Sequence, residues 1–245
     1  MTTKAAMKHY RTTAIVVGLV YLAGFVVGIG GEMLSQSVLS APNHLATLAA
    51  NSMTLTSGVL LWLLAVVGDV AHGVLLFPLL KRHNERIAVG YLATRIMDGL
   101  FIAIMAIFIL LQIPLGNAFL QAAPADTAYL QALSTIFTQG QHYAYQIGMI
   151  TLGLAGMQLC YTLYKATLTP RWLAVWGLVG YAIIAGGMVS EFMGSGLGLA
   201  SSLPGGLWEV FMGVWLMVKG FNTPSIPAAS VPTTANSDQV GLSVA

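Results

Sequence analysis

Six long stretches of this chain carry almost no charge, and most are as long as a bilayer's hydrocarbon core demands. A spanning helix needs about 20 mostly apolar residues. The stretches run approximately over 14–31, 55–80, 87–113, 143–164, 173–193 and 205–218, the last being short. "TLTP", Thr167 to Pro170, is turn chemistry ahead of the fifth, and Pro204 stands where a helix start tolerates proline. Composition agrees with this partition. Of 245 residues 57% are hydrophobic and 7% charged, with a mean hydropathy of +0.80. A soluble domain carries roughly 25% charged residues, so this chain could not cover itself with polar surface. The expected fold is an all-α membrane protein, a bundle of six transmembrane helices.

Lysine and arginine placement orients the bundle. Lys4, Lys8 and Arg11 precede the first stretch; Lys81, Arg82 and Arg86 separate the second and third. Lys165 and Arg171 separate the fourth and fifth, and Lys219 follows the sixth. The connections 32–54, 114–142 and 194–203 contain neither residue type. Nine of the ten basic residues therefore fall on one side, the tenth being Arg95. The positive-inside rule makes that side, with both termini, cytoplasmic. The first stretch is long for a signal peptide and "GIGGEMLSQS" is a poor cleavage site, so it is expected to remain as a span. Residues 1–222 form the expected membrane domain. The remainder, 223–245, is rich in Pro, Ser, Thr and Ala without periodicity, the pattern of a disordered cytoplasmic tail. Two outer connections, "APNHLATLAANSM" and "ADTAYLQALSTIFTQ", have apolar residues at helical spacing and are expected to form short outer-face helices. No internal repeat is found.

Several ionisable residues interrupt the apolar stretches. Asp69 lies 12 residues before Lys81, and Asp98 12 residues after Arg86, or ~18 Å into the membrane at 1.5 Å per residue. His72 and Arg95 lie at ~13 Å, and Glu209, 10 residues before Lys219, at ~15 Å. A charged residue at such depth costs about 2.5–3.5 kcal/mol, so these five should face the bundle interior and one another. Spacing of i,i+3 places Asp69 with His72, and Arg95 with Asp98, on common faces. Arg95 is expected between the two aspartates. One arginine then faces three carboxylates, a surplus that a protonated His72 or a protonated carboxyl would relieve. Proton-coupled and cation-binding membrane proteins use such groups. The same cluster could instead only fix which helices pack together. Both readings stay open.

Other candidates are weaker. His44, His142 and Glu191 lie towards the outer face, where a metal or ligand site competes with ordinary solvated side chains. Haem needs two histidines at matching depth; only His72 is central, so no cofactor is expected. The chain lacks H-E-x-x-H, G-x-S-x-G and a phosphate-binding glycine loop. Ser57 and Ser190–Glu191 have no histidine at matching depth. A lone cysteine, Cys160, excludes an internal disulfide and reads as a packed side chain. Net charge is +2 with no basic run, which argues against a nucleic-acid partner. Gly24-x-x-x-Gly28 and Gly186-x-x-x-Ser190 permit close helix approach, within the chain, in a homo-oligomer or on a larger membrane complex. Trp172, Trp176 and Tyr164 on the inner side, and Tyr143 and Tyr145 on the outer, form an aromatic belt.

A series of segments also resembles a bacterial family, domain of unknown function 4386 (DUF4386). They are "RTTAIVVGLVYLAG", "LLFPLLKRHN", "RIMDG", "YQIGMITLGLAG", "TPRWLAVWGLVGY" and "GGLWEVFMGVWLMVKGF", in order over residues 11–221. The resemblance implies an integral protein of the bacterial cytoplasmic (inner) membrane with six or seven helices. It carries over Asp69, Arg95, Asp98, Pro170, Arg171 and Glu209, and it implies no reaction. Three function classes follow from the sequence: a small transporter or ligand-binding protein, an accessory subunit of a larger complex, or an intramembrane enzyme. The lack of a repeat weighs against a self-contained secondary transporter, though a dimer would supply the second half.

Overall fold

The structure, a computed structural model, describes residues 3–222; the tail expected over 223–245 lies outside the described residues. The regular structure in the described part is helical: α1 (Thr3–Leu39), α2 (His44–Leu48), α3 (Ser52–Lys81), α4 (Glu85–Gln121), α5 (Thr127–Lys165), α6 (Arg171–Phe192), α7 (Gly198–Ser201) and α8 (Leu203–Val218). Five helices are long and apolar enough to cross a membrane: α1 from Tyr10 onward, α3, α4, α5 and α6. α8 is apolar with 16 residues. Along α3, Leu60, Leu64, Val67 and Val74 are exposed at helical spacing. Lipid or another apolar surface must cover such a face. The chain is a helical membrane protein.

Each long helix packs on the next along the sequence, and α8 returns to α1. The order α1–α3–α4–α5–α6–α8 therefore closes a ring. Arg11 helps to shut it. Its guanidinium donates to the carbonyls of Met217 at 2.8 Å, Val218 at 3.2 Å and Leu216 at 3.4 Å. Those carbonyls end α8, where a helix lacks internal donors and favours a cation. Gly220, at φ 75°, makes the left-handed turn that stops the helix there. Two buried apolar clusters fill the ring. One gathers Tyr21, Leu76, Tyr91, Leu159, Tyr181 and Trp208 towards the basic end; the other gathers Val59, Ile102, Met105 and Ile109 towards the far end.

Several helix limits differ from those the sequence suggests. α1 runs past Gly31 to Leu39, and α4 runs past Pro114 to Gln121. A proline removes one ladder hydrogen bond, but inside a bundle neighbouring helices let the rest continue. α5 begins at Thr127 rather than near Tyr143, so "ADTAYLQALSTIFTQ" forms no separate short helix. Ser134, Gln141, Ala144 and Gly148 are buried at spacings of 7, 3 and 4, one face continued unbroken into the membrane. In the connection between α1 and α3, α2 buries Leu45 and Leu48 and packs on α4.

Glycine contacts also fall elsewhere than expected. A Cβ at Gly24 or Gly186 would meet open space, and one at Gly28 would only touch the Trp62 ring at 4.0 Å. Close approach occurs instead where Gly18 meets Gly213, Gly31 meets Gly58, and Gly156 accepts the Tyr181 ring. A small-x-x-x-small pattern marks a helix face that permits contact; it does not say which neighbour arrives there.

Candidate functional site

α3 and α4 bring Asp69, His72, Arg95 and Asp98 together at the junction of the two apolar clusters. The Arg95 Nη2 donates to Asp69 Oδ1 at 2.8 Å, and its Nε donates to the Asp69 carbonyl at 3.3 Å. Nη2 also lies 2.7 Å from His72 Nδ1. Arginine has no acceptor, so that ring nitrogen must accept and the imidazole is neutral. Its Nε2–H then faces the Val17 carbonyl at 3.4 Å, which ties the cluster to α1. On the other side Arg95 Nη1 lies 3.5 Å from Asp98 Oδ2, an ion pair longer than a good hydrogen bond. His72 and Arg95 are each 4% exposed and Asp98 2%, whereas the Asp69 side chain is 22% exposed.

Glu209 does not join this contact set. Its Oε1 accepts from the Tyr181 hydroxyl at 2.6 Å, and among the described residues it forms no ion pair. An aromatic layer connects it to the centre. The His72 ring packs on Tyr21 with centroids 4.1 Å apart; Tyr21 meets Trp208 edge-on at 6.2 Å, and Trp208 meets Tyr181 at 5.4 Å. The Trp208 indole is fixed by donating Nε1–H to the Leu173 carbonyl at 2.7 Å. Sequence reasoning missed Tyr181, Tyr21 and Trp208 as parts of the site. Equal depth could have found Tyr181, which follows Arg171 by 10 residues as Glu209 precedes Lys219 by 10.

A second buried polar cluster sits near the end of the bundle opposite the basic one. Gln112 Nε2 donates to the Ser134 carbonyl at 3.2 Å and Thr138 Oγ1 at 3.1 Å, while its Oε1 accepts from Ser134 Oγ at 2.8 Å. His44 Nε2 meets the same hydroxyl at 2.9 Å. The Ser134 proton goes to Gln112, so His44 donates to the serine oxygen, which is the wrong direction for activating a nucleophile. The cluster links α2, α4 and α5. Glu191 instead accepts from the Gly198 backbone N–H at 2.8 Å, and His142 is exposed. Among the described residues no three His, Cys, Asp or Glu side chains are placed to hold a metal ion. Trp172 and Trp176 join Phe211 and Trp215 in an aromatic group, and Tyr143 is exposed beside Phe192. Tyr145 turns inward against Trp62 instead of standing in a belt. Cys160 is buried.

No curated protein and no solved structure matches the chain significantly. One family profile does, over residues 16–220, a span that includes every member of the polar centre and its aromatic layer. The chain therefore belongs to the family described as domain of unknown function (DUF4386).

Proposed function

We propose that this protein is a six-span protein of the bacterial cytoplasmic membrane that couples a mid-membrane proton to the binding or transport of a small solute. In this reading α8 is the sixth span and both chain ends are cytoplasmic. At ~24 Å α8 is shorter than the hydrocarbon core of about 30 Å, and tryptophans beside it suit an interface where the bilayer thins.

One observation carries the proposal: the single arginine pairs with two aspartates, the third carboxylate, Glu209, has only the Tyr181 hydroxyl, and His72, accepting from Arg95, adds no positive charge. Ionising all of Asp69, Asp98 and Glu209 would leave uncompensated negative charge where each charge costs about 2.5–3.5 kcal/mol. A carboxyl that keeps its proton avoids that cost, and exchange of the proton against an entering solute or cation is the coupling event. Asp98 is the carrier in this scheme. Asp69 holds the short bond to Arg95, and Asp98 keeps only the longer contact.

Infrared difference spectroscopy of the purified protein in lipid, between alkaline and acid buffer, tests it. A buried carboxylic-acid carbonyl band should change with pH and vanish in Asp98→Asn. A spectrum with no pH-dependent carboxyl band would sink the coupling role. That result would favour the second reading, an accessory or structural role in a larger assembly. Its support is that Arg95 and His72 join α1, α3 and α4 as a clamp. The orientation is tested separately: Ala125→Cys should react with an impermeant maleimide in intact cells. Reaction only after lysis would reverse it.

A further inference from the structure

At the bundle end that carries Arg82, Arg86, Lys165 and Arg171, the start of α4 and the end of α5 leave a cleft of about 240 Å³. His83, Asn84, Tyr161, Thr162 and Lys165 line it. Its polar groups are chiefly donors. The Lys165 ammonium sits 5.8 Å from the Tyr161 ring centroid, and among the described residues no carboxylate pairs with it. Asn84 spends its Oδ1 on the Ile87 N–H at 3.1 Å, capping α4 and leaving its NH₂ as the group on offer. His83 Nε2 is buried without a hydrogen-bond partner. Burial, and then the charge of Arg82, hold His83 below the ordinary histidine range; a neutral ring can still donate through one N–H.

The surrounding charge has the same sign. Glu85 is the one carboxylate at this end among the described residues, and Lys81 holds it at 2.8 Å. Arg82 and Arg171 lie over the rings of Tyr10 and Tyr164 at 5.2 and 5.6 Å, near the exposed Tyr161 and Trp172. Such aromatic and basic residues mark the interface, where phospholipid phosphates stand. The cleft has the volume of about eight waters, room for a phosphate with its ester carbons.

We propose that this cleft binds a phosphate oxyanion, supplied by the headgroup of an anionic phospholipid. The site is independent of the mid-membrane centre and of which way the protein is oriented. The test uses the full-length protein in phosphatidylcholine-doped detergent, titrated with phosphatidylglycerol, with more phosphatidylcholine, or with inorganic phosphate, and read by thermal unfolding and native mass spectrometry. Phosphatidylglycerol should raise Tm and leave a retained adduct where phosphatidylcholine does neither. Lys165→Gln should weaken the phosphatidylglycerol response about fivefold, and His83→Ala should weaken it as well. Lys81→Gln, at the same end but outside the cleft, should not. Equal responses to both lipids, or equal losses in Lys165→Gln and Lys81→Gln, would overturn the site. A response to inorganic phosphate without one to phosphatidylglycerol would overturn the lipid source. Should Lys165→Gln fail to fold in phosphatidylcholine, His83→Ala decides alone: an unchanged response there overturns the proposal.

Discussion

The Arg95 centre and the Gln112 cluster share helix α4, about 21 Å apart along its axis from Asp98 at 1.5 Å per residue, and they solve the burial of polar groups differently. Gln112, fully buried, matches donors to acceptors among neutral groups, with Ser134 and Thr138 completing the set. The Arg95 centre holds a buried cation between a buried aspartate, Asp98, and a partly exposed one, Asp69, with a third carboxylate beyond an aromatic layer. The Gln112 cluster joins α4 to α2 and α5 through neutral hydrogen bonds. Buried ion pairs are no better at that task, because desolvation cancels much of their attraction. The ionic centre therefore buries more charge than neutral pairing of the same helices requires.

Removing the cation should have the largest effect. Arg95→Leu leaves the buried Asp98 and the partly buried Asp69 without their partner, a loss of roughly 3–5 kcal/mol, visible as low yield and a lowered Tm. The loss should shrink in acid buffer, where the carboxylates take protons, and Asp69→Asn should restore part of it. Strictly additive losses in that double-mutant cycle would break the contrast, because Asp69 and Arg95 would then be no unit. Next comes Gln112→Leu, which takes its acceptor from the buried Ser134 hydroxyl and leaves it only His44, and should cost about 1 kcal/mol. Combined with Asp69→Asn its effect should simply add, as for distant sites; coupling between the two would mean that the clusters form one network. Tyr181→Phe removes the donor to Glu209 and should lower stability by about 1 kcal/mol. It should also perturb any carboxyl infrared band that belongs to Glu209. A wild-type spectrum in that variant would detach Glu209 from the centre.

The smallest effect is expected at His83. Its pKa is held below the unfolded value of 6.5, by burial first and Arg82 second. The unfolded chain thus binds its proton earlier as pH falls. Stability from the neutral ring is present above that value and is lost on acidification through it. Thermal unfolding of His83→Gln should show a shallower fall of Tm over that range; an unchanged slope would mean that the ring is already as hydrated as in the unfolded chain.

Much of this arrangement could be read before any coordinates. Depth counted from Lys81 and Arg86 put Asp69 level with Asp98, and i,i+3 spacing gave each a companion on its own face. What the count could not supply was direction. His72 could have been a cation beside the carboxylates, but it accepts from Arg95. Glu209 lies at a similar depth yet sits apart, because α8 meets α1 and α6 instead of α3. Helix ends were misjudged where sequence punctuation lost to packing, at Pro114 and through the start of α5. Glycine faces were misassigned because several small residues compete and only the partner helix selects among them.

Because α8 lies between α1 and α6, the ring closes only once α8 has left the ribosome. Trp208 is what covers Tyr21, and Tyr21 is what covers His72. Before α8 arrives, that side of the centre opens onto whatever fills the groove, and Arg11 has yet to meet the carbonyls of Leu216, Met217 and Val218. A nascent chain halted after α6 would thus hold its ions half-sheltered during insertion. Contacts between residues more than 200 positions apart then complete the shield, a slow kind of closure for any chain. Order of synthesis, as much as final geometry, decides when this charge cluster becomes safe inside the bilayer.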